Sequence, residues 1–574
     1  MKIPTQRKKL ALAIITAISV AGLAGCHTTD NRTSSEVASV ESEIMRQQTH
    51  QRAKKDHFSK MEKKRLEISQ YASSPLVMSD AVMAMPTEIV DSENYAHFEE
   101  NDISLVAEEP VSTFSIDVDT GAYTNVRRIL NQGQLPRHDA VRAEEFINYF
   151  NYDFAPPAND ETPFAVHSEM MKSPWGEDSY LLQLGIKAWE PALQQRPDAN
   201  LVFLMDVSGS MNSDDKLGLL KKSLALLTRQ LSANDRISMV VYAGASGIVL
   251  EPTPGNQTAQ IELALQRLQA GGSTNGAAGI KLAYQLAEQS FIKDGINRIL
   301  LATDGDFNVG TTNFDALIDL IEEKRKSGIA LSTLGFGSGN YNDHLMEQLA
   351  DHGNGQYNYI DTLLEARKVL VDEMNSSLLT VAGDVKIQLE FNPQVVSEYR
   401  LIGYENRVLA REDFNNDKVD AGEIGAGHTV TALYEIRFSD SHNLSVDPLR
   451  YDAQDNSTAD TNSNELGFLK LRYKNPGESK SNLIKSVLDK KQLLSTIEQP
   501  TDSIKFAASV AGFAQQLKGG KYLNDFGYKQ ITQLAQSSKG KDLRGLRSEF
   551  IQLVSLAEML SQSSPKPTMR TNAE

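Results

Sequence analysis

The residues best suited to chemistry are three oxygen-bearing side chains at alternate positions, Asp206, Ser208 and Ser210. Small residues between them allow the backbone to turn tightly and to aim the three oxygens into one space. Hard cations such as Mg²⁺ take oxygen ligands, so this spacing predicts a divalent-cation site. Ser and Asp also cap helices, and a helix is predicted to begin at 214–216. A helix N-cap is therefore the alternative that these residues alone leave open.

The element that must position this cluster is a buried strand. A run of five apolar residues, Leu201–Met205, directly precedes Asp206 and is typical of a strand covered on both faces. From here to about Met374, further apolar runs alternate with amphipathic stretches, which predicts a doubly wound α/β domain with a mostly parallel sheet. Ligands bind such domains at the carboxyl ends of the strands, where the three oxygen-bearing side chains stand.

Two later segments are expected at the same edge of the sheet. The glycine-rich loop 271–276 offers Thr274 ahead of a helix, and Asp304 follows an apolar strand. Asp-x-Ser-x-Ser after the first strand, a Thr in a glycine-rich loop and Thr-Asp-Gly after a later strand together resemble the metal-ion-dependent adhesion site of von Willebrand factor A domains. The resemblance implies a metal held at the positions Asp206, Ser208, Ser210, Thr274 and Asp304.

The implied site consists of neutral hydroxyls, with carboxylates one step further from the metal. By the resemblance, Ser208, Ser210 and Thr274 would contact the metal. Asp206 and Asp304 would hold its waters and the serine hydroxyls. Because every proposed ligand is oxygen, Mg²⁺ is favoured over Zn²⁺, with Mn²⁺ or Ca²⁺ as alternatives. Such a cation keeps a coordination position for a carboxylate from a partner protein.

The amino-terminal residues 1–25 have the pattern of a signal peptide. Basic residues precede an apolar run that is too short to span a bilayer as a helix. The run ends in Leu-Ala-Gly-Cys26, which resembles the bacterial lipobox and implies cleavage before Cys26 and a diacylglycerol on its thiol. An ordinary secretory signal is the alternative. His27 stands where an aspartate would resemble the inner-membrane retention signal, so the outer membrane is the expected location in a cell that has one.

Composition and motif content narrow the function classes. A formal net charge of -17 at pH 7 repels phosphate backbones, which argues against a nucleic-acid partner. Cys26 is the only cysteine, which excludes disulfides and zinc-thiolate sites from the folded part. The sequence has no P-loop, no His-Glu-x-x-His and no Gly-x-Ser-x-Gly elbow, so we expect no enzyme. The stretch Gly335–Gly339 departs from dinucleotide-loop spacing and is interpreted as a tight strand-to-helix turn.

Domain organisation follows from changes of pattern along the chain. The strands of Pro163–Trp189 and Val385–Phe438 are predicted to pair in one β-sandwich into which the α/β domain is inserted, with separate domains in sequence order as the alternative. The flanks Ser112–Tyr152 and Asp413–Glu435 resemble those of a bacterial subfamily of von Willebrand factor A lipoproteins. The predicted segments are a signal peptide at 1–25, a flexible tether at 26–110, a flanking α+β region at 111–198, a von Willebrand factor A-like domain at 199–376, an antiparallel β domain at 377–475 and a helical carboxyl-terminal region at 476–565.

A second acidic stretch, Asp117 with Asp119, offers a competing metal loop. Residues 112–119 alternate polar and apolar side chains, as a half-buried strand does, and this places both aspartates in one row. We therefore predict that the two carboxylates face solvent.

The predicted function is that of a membrane-anchored lipoprotein that binds another protein, in adhesion or assembly, through a divalent cation. The partner would supply an acidic side chain to the metal. A scaffold of envelope complexes with a structural metal is the alternative, and a metal-assisted hydrolase is a further, less favoured one.

Overall fold

A computed structural model describes residues 92–158, 162–191, 196–273, 275–305, 314–441, 444–446 and 464–563. The predicted signal peptide, Cys26 and Thr274 lie outside the described residues, as does most of the predicted tether.

The first described region combines short strands, two helices and a long hairpin. Strands β3 and β4 pair antiparallel from Phe164↔Ala188 to Lys172↔Tyr180 and form a hairpin. The elements of this region are β1 (Ser104–Leu105), β2 (Val111–Ser115), α1 (Gly121–Asn131), α2 (Ala143–Asn148), β3 (Phe164–Lys172) and β4 (Tyr180–Ala188).

The central region is the predicted α/β domain. Its elements are β5 (Ala199–Asp206), α3 (Leu219–Thr228), β6 (Arg236–Tyr242), β7 (Ser246–Pro254), α4 (Thr258–Arg267), α5 (Gly276–Gln289), β8 (Ile296–Thr303), α6 (Phe314–Arg325), β9 (Ala330–Gly335), α7 (Asp343–His352), β10 (Tyr357–Tyr359), α8 (Leu363–Arg367) and α9 (Met374–Leu378). The six-stranded sheet has the order β10-β9-β8-β5-β6-β7. All neighbours are parallel except β6 and β7, which pair antiparallel.

The strand β5 lies in the middle of this sheet and is buried along its whole length. Its side chains alternate between two cores, with Leu201 and Phe203 in the core on one face and Val202 and Leu204 in the core on the other. A strand with apolar partners on both faces must be apolar at every position, which is why the run before Asp206 is unbroken. The predicted von Willebrand A-like architecture of this domain is confirmed.

The described residues of the carboxyl-terminal regions contain six strands followed by four helices. They are β11 (Thr380–Phe391), β12 (Val396–Ile402), β13 (Gly422–Gly425), β14 (Thr429–Phe438), β15 (Glu465–Lys474), β16 (Ser481–Asp489), α10 (Lys490–Ile497), α11 (Asp502–Leu517), α12 (Tyr528–Ser537) and α13 (Leu546–Ser563). No helix within the described ranges is long and apolar enough to cross a membrane.

Two antiparallel sheets form the β-sandwich, and strands from both sides of the α/β domain share one of them. One sheet has the order β1-β12-β14-β4-β3, and the other has the order β13-β11-β15-β16 with β2 beside β11. Side chains from both sheets, such as Leu182 of β4 and Leu389 of β11, pack in a common core. Because β4 precedes the α/β domain and pairs with β14, which follows it, the domain is inserted into the sandwich as predicted.

The carboxyl-terminal region is helical only from Lys490 onward. The prediction of a helical region from residue 476 is wrong for Ser481–Asp489, which forms the edge strand β16 and pairs with β15. Partner strand β15 decides the structure here, because a short run of mixed polar and apolar residues takes the conformation of the edge it can pair with. The later helices pack on the amino-terminal ones, with the ring of Phe150 lying 5.1 Å from that of Phe506 and 5.6 Å from that of Phe550.

Candidate metal site at the carboxyl edge of the sheet

Asp206 is the last residue of β5, and its buried carboxylate joins two strand ends. Its Oδ1 accepts the backbone N–H of Ser208 at 2.8 Å, and its Oδ2 accepts the hydroxyl of Thr303, the last residue of β8, at 3.0 Å. Burial raises the pKa of Asp206 to about 6, against the hydrogen bonds from Ser208 and Thr303, which lower it. The carboxylate therefore fixes the turn after β5 against the neighbouring strand.

The two serines face each other across that turn. The hydroxyl oxygens of Ser208 and Ser210 lie 3.0 Å apart. Neither caps the helical stretch that leads into α3, because that stretch begins at Asp214 after Ser213, and the side chain of Ser208 makes no capping hydrogen bond to the short turn 209–211. The N-cap alternative is therefore wrong, and two hydroxyls remain directed at one point of the edge.

The glycine-rich loop before α5 reaches the same edge, as the sequence predicts. The backbone N–H of Gly209 donates to the carbonyl oxygen of Gly272 at 3.0 Å, and that of Gly271 donates to Val207 at 2.8 Å. Gly272 has a φ of +90°, a conformation that favours glycine over other residues. These bonds bring the loop against the Ser208 turn. Thr274 itself lies outside the described residues, so its place in the site stays a prediction.

A lysine that the sequence analysis missed reaches the second carboxylate. Asp304 follows β8 and is fully buried, and the ammonium of Lys216 donates to its Oδ2 at 2.9 Å. The same ammonium donates to Asn340 Oδ1 at 3.2 Å. The stem of Lys216 crosses Gly337, where a Cβ would lie 2.3 Å from Lys216 Cε. The sequence signal that could have pointed to this contact is the glycine-rich stretch after β9, because a segment that follows a parallel strand of this sheet lies at the same edge as Asp304.

The loop that carries Asn340 is held in turn by the first described residues. The backbone N–H of Gly339 donates to Glu93 Oε1 at 2.9 Å, and the hydroxyl of Ser92 donates to the carbonyl oxygen of Gly339 at 2.7 Å. The backbone N–H of Asn94 donates to Tyr341 at 2.9 Å. Residues 92–94 therefore brace the loop that positions Lys216.

The donor set at this edge fits a hard divalent cation. It offers the hydroxyls of Ser208 and Ser210 and the carboxylates of Asp206 and Asp304, all of them oxygen. In the part of the chain that the structure describes, no group of three or more His, Cys, Asp or Glu side chains is placed to hold a metal. A cation here would rely on hydroxyls for direct contacts, and oxygen-only ligation suits Mg²⁺, Mn²⁺ or Ca²⁺ better than Zn²⁺.

Asp117 and Asp119 do not face solvent, so the prediction from alternation is wrong. Both are buried. Arg407 Nε donates to Asp117 Oδ2 at 3.0 Å, and Asp119 Oδ1 accepts the backbone N–H of Tyr357 in β10 at 2.8 Å. Alternation shows that the two side chains share a face but not whether that face is covered. Here the α/β domain and the chain after β12 cover it.

These two aspartates belong to a larger group, which we call the buried ionic seam. It consists of the carboxylates Asp117, Asp119, Glu144, Glu145, Asp343, Glu347 and Asp351 and the guanidinium groups of Arg142 and Arg407. Arg142 contacts Glu145 and Asp343, and Arg407 Nη1 lies 2.7 Å from Asp351 Oδ2. The seam thus joins the amino-terminal region, helix α7 of the α/β domain and the segment after β12.

Three family profiles match successive parts of the chain. The profile "von Willebrand factor" matches residues 89–183, "von Willebrand factor type A domain" matches 200–373, and "Uncharacterized protein YfbK, C-terminal" matches 376–560. The middle match contains the whole six-stranded sheet and the edge with Asp206 and Asp304.

Individual proteins are similar over more than the α/β domain. The chain is 48% identical over 493 residues to "Uncharacterized protein YfbK" of Escherichia coli (strain K12), which covers 84% of each chain. It is 25% identical over 341 residues to "Uncharacterized protein sll0103" of Synechocystis, which covers 58% of this chain and 75% of that one. The solved structure "von Willebrand factor type A from Catenulispora acidiphila" is 15% identical, with a TM-score of 0.38, and covers 67% of this chain and 88% of that one.

Proposed function

Since the chain belongs to the YfbK-like family of bacterial von Willebrand factor type A domain proteins, we propose that it is a membrane-anchored protein that binds another protein through a divalent cation. The von Willebrand factor A domain by itself indicates a role in protein interaction or adhesion. The observation that carries the finer proposal is the meeting of two hydroxyls and two buried carboxylates at the carboxyl edge of the sheet. We propose no enzymatic activity.

Each residue of the edge has a separate task in this proposal. Asp206 holds the Ser208 turn, so the hydroxyls of Ser208 and Ser210 are already in place before a ligand arrives. Lys216 holds the carboxylate of Asp304 and compensates its charge. When bound, Mg²⁺, or alternatively Mn²⁺ or Ca²⁺, supplies a Lewis-acid position to which an outside carboxylate adds.

The partner is a protein that presents an aspartate or glutamate side chain. The formal net charge of -17 repels acidic molecules at long range, so only a carboxylate that reaches the cation is compensated. The same charge argues against nucleic acid. Thr274 completes the ligand set in this proposal, on the strength of the loop 271–273 that lies against the Ser208 turn.

The anchor in this proposal is the lipid on Cys26, which places the protein on a membrane of the cell envelope, the outer membrane in a cell with two. Two or more acyl chains are needed for stable anchoring. Replacing Cys26→Ser and fractionating the cells tests the anchor. The variant is expected in the soluble fraction, and unchanged recovery with the membranes would contradict the proposal.

The binding function is tested by recovery of partner proteins with the anchored, full-length protein in Mg²⁺ and in excess chelator. Ser210→Ala removes one of the two facing hydroxyls, and Ser213→Ala, an exposed serine three positions on, is the matched control. A partner is expected with the wild type and Ser213→Ala in Mg²⁺, and not with Ser210→Ala or in chelator.

A partner retained equally by Ser210→Ala in chelator would overturn the metal-dependent mechanism. The scaffold alternative predicts a different pattern, since a structural metal would raise the melting temperature while its removal left partner recovery unchanged.

A further inference from the structure

A polar cavity of about 370 Å³ lies where the inserted domain, the sandwich and the carboxyl-terminal helices meet. Its lining comes from the chain after α2, the end of β4, strand β10, helix α9, the loop 426–429 and the loop 541–547. None of the residues of the carboxyl-edge metal site lines it. The volume lies within the range of sites for small ligands, roughly 300–1,000 Å³.

A lysine without a carboxylate partner forms part of the wall. Lys187 of β4 is half-buried, and its ammonium donates to the carbonyl oxygen of Gly427. Among the described residues it makes no ion pair, and burial lowers its pKa, against the pull of more distant acids such as Glu190. A partly desolvated cation beside a cavity is an attractive contact for an anion that enters it.

An asparagine offers a second unsatisfied group to the same cavity. Asn375 of α9 is 5% exposed, and its side-chain oxygen is buried without a hydrogen-bond partner in the described structure. A buried carboxamide oxygen is normally paired, so an unpaired one in a residue that lines a cavity points to a ligand that completes the pairing. Rotation of the amide by half a turn presents its N–H groups in place of the oxygen.

A neutral histidine lines the cavity beside these groups. The side-chain amide of Gln356 lies 3.4 Å from His428 Nδ1, which leaves the opposite ring nitrogen to carry the proton. Burial, together with the nearby cations Lys368, Lys187 and Arg298, lowers the pKa of His428 to about 3. The imidazole is therefore neutral at pH 7 and keeps one ring N–H to donate.

The carboxylates of the wall are mostly occupied by other partners. Glu373 Oε2 accepts from Lys368 at 3.1 Å, and Asp372 lies 3.6 Å from Arg544. Asp542 accepts the backbone N–H of Ser548 at 2.8 Å. Glu373 and Asp372 thus pair with cations, whereas Lys187 makes no ion pair among the described residues with the two remaining wall carboxylates, Glu190 and Asp153.

We propose that this cavity binds a small organic anion, whose carboxylate or phosphate group is received by Lys187, Asn375 and the ring N–H of His428. The neutral side chains of Gln356, Asn358 and Ser376 hydrogen-bond the uncharged polar part of the ligand. The site is independent of the carboxyl-edge metal site, and it makes the junction of the domains a place where a metabolite-sized anion is bound.

The test is calorimetric titration of the full-length protein with succinate, inorganic phosphate and glucose as probes, in buffer freed of divalent cations so that the carboxyl edge takes no part. Succinate or phosphate is expected to bind at one site per chain. The probe that binds more tightly shows whether the site prefers a carboxylate or a phosphate group. Glucose, which has no charge, is expected not to bind. Binding of neither anion at concentrations up to about 10 mM, or equal binding of glucose, would overturn the proposal.

Two variants locate the site. Lys187→Met removes the cation, and Asn375→Asp adds a negative charge without a change of size. Each is expected to weaken anion binding at least about tenfold, since each removes or opposes a charged hydrogen bond. Lys172→Met, at the exposed end of β3, is the matched control and should bind as the wild type does. If Lys187→Met fails to fold, Asn375→Asp alone decides, and wild-type affinity in that variant contradicts the proposal.

Discussion

The carboxyl-edge site and the buried ionic seam are both rich in carboxylates, yet they are built in opposite ways. In the seam, Arg142 and Arg407 each contact carboxylates from different segments, and most of these carboxylates are buried, Asp351 being the partly exposed exception. At the edge, hydroxyls face one another beside two carboxylates, and Gly209 of the turn is exposed. A high density of acidic residues therefore marks an internal clamp, whereas a sparse, partly open set of oxygens marks the place for an outside ligand.

The largest effect of a single substitution is expected at the seam. Arg142→Met leaves Glu145 and Asp343 buried without their cation, and this is expected to lower the free energy of unfolding by about 3–5 kcal/mol. Urea denaturation gives the measurement. Arg137→Met, whose side chain is 53% exposed, is the control and should cost at most about 1 kcal/mol. Equal unfolding midpoints for the two variants would show that the seam is not a clamp.

The pH dependence of the seam is the next largest effect. Burial, with Glu405 and Asp117 nearby, raises the pKa of Glu144 from 4.5 to about 8. Between these two pH values the folded protein keeps a proton that the unfolded chain releases, so the stabilising contribution is complete below 4.5 and is lost as pH rises to about 8.

Unfolding titrations at several pH values measure this effect. In the wild type, Glu144 is expected to lower the free energy of unfolding by about 1.4 kcal/mol for each pH unit within this window. Glu144→Gln should remove this part of the slope. Glu99→Gln, with a side chain that is 94% exposed, should leave the slope unchanged. The same slope in all three proteins would show that Glu144 titrates normally.

At the edge, substitutions of two glycines distinguish the cost of a packing clash with Lys216 from the cost of backbone strain. Gly337 and Gly339 both have positive φ values, +74° and +96°, but only at Gly337 would a Cβ meet another side chain. Gly339→Ala measures the cost of backbone strain alone. Gly337→Ala is therefore expected to lower the free energy of unfolding by about 1–3 kcal/mol more than Gly339→Ala does. Thermal unfolding of the two variants compares them directly, and equal losses would mean that Lys216 is free to move aside.

The smallest expected effect is that of the metal on stability. At a Mg²⁺ concentration ten times its dissociation constant, the wild type should gain about 1.4 kcal/mol by mass action. Asp206→Asn should abolish this gain because it weakens the support of Ser208, whereas Asp215→Asn, an exposed neighbour, should keep it. Calorimetric scans with and without Mg²⁺ measure the difference. A gain that survives in Asp206→Asn would place the metal elsewhere.

The sequence was a good guide wherever a pattern along the chain decides the structure. The unbroken apolar run before Asp206 predicted the buried strand, and the alternation of strands and helices predicted a doubly wound domain with a mostly parallel sheet. The insertion could be predicted because β-patterned segments lie on both sides of that domain, and β4 does pair with β14.

What the sequence could not show was the identity of distant partners. Arg407, which contacts Asp117, lies 290 positions further along the chain, and the Lys216 contact with Asp304 spans 88 positions. Periodicity places a side chain on a face but carries no information about what covers that face. The burial of the seam and the lysine at the metal site therefore became visible only in three dimensions.

The bracing of loop 339–342 by residues 92–94 has a mechanical consequence. Ser92 is the first residue that the structure describes, and from the loop that it contacts, Asn340 and Lys216 lead to Asp304. In a protein held by its amino-terminal end, a pull from a bound partner would load this path first. Tension would then act on the edge that is proposed to bind the partner, so the lifetime of that bond would depend on force as well as on affinity.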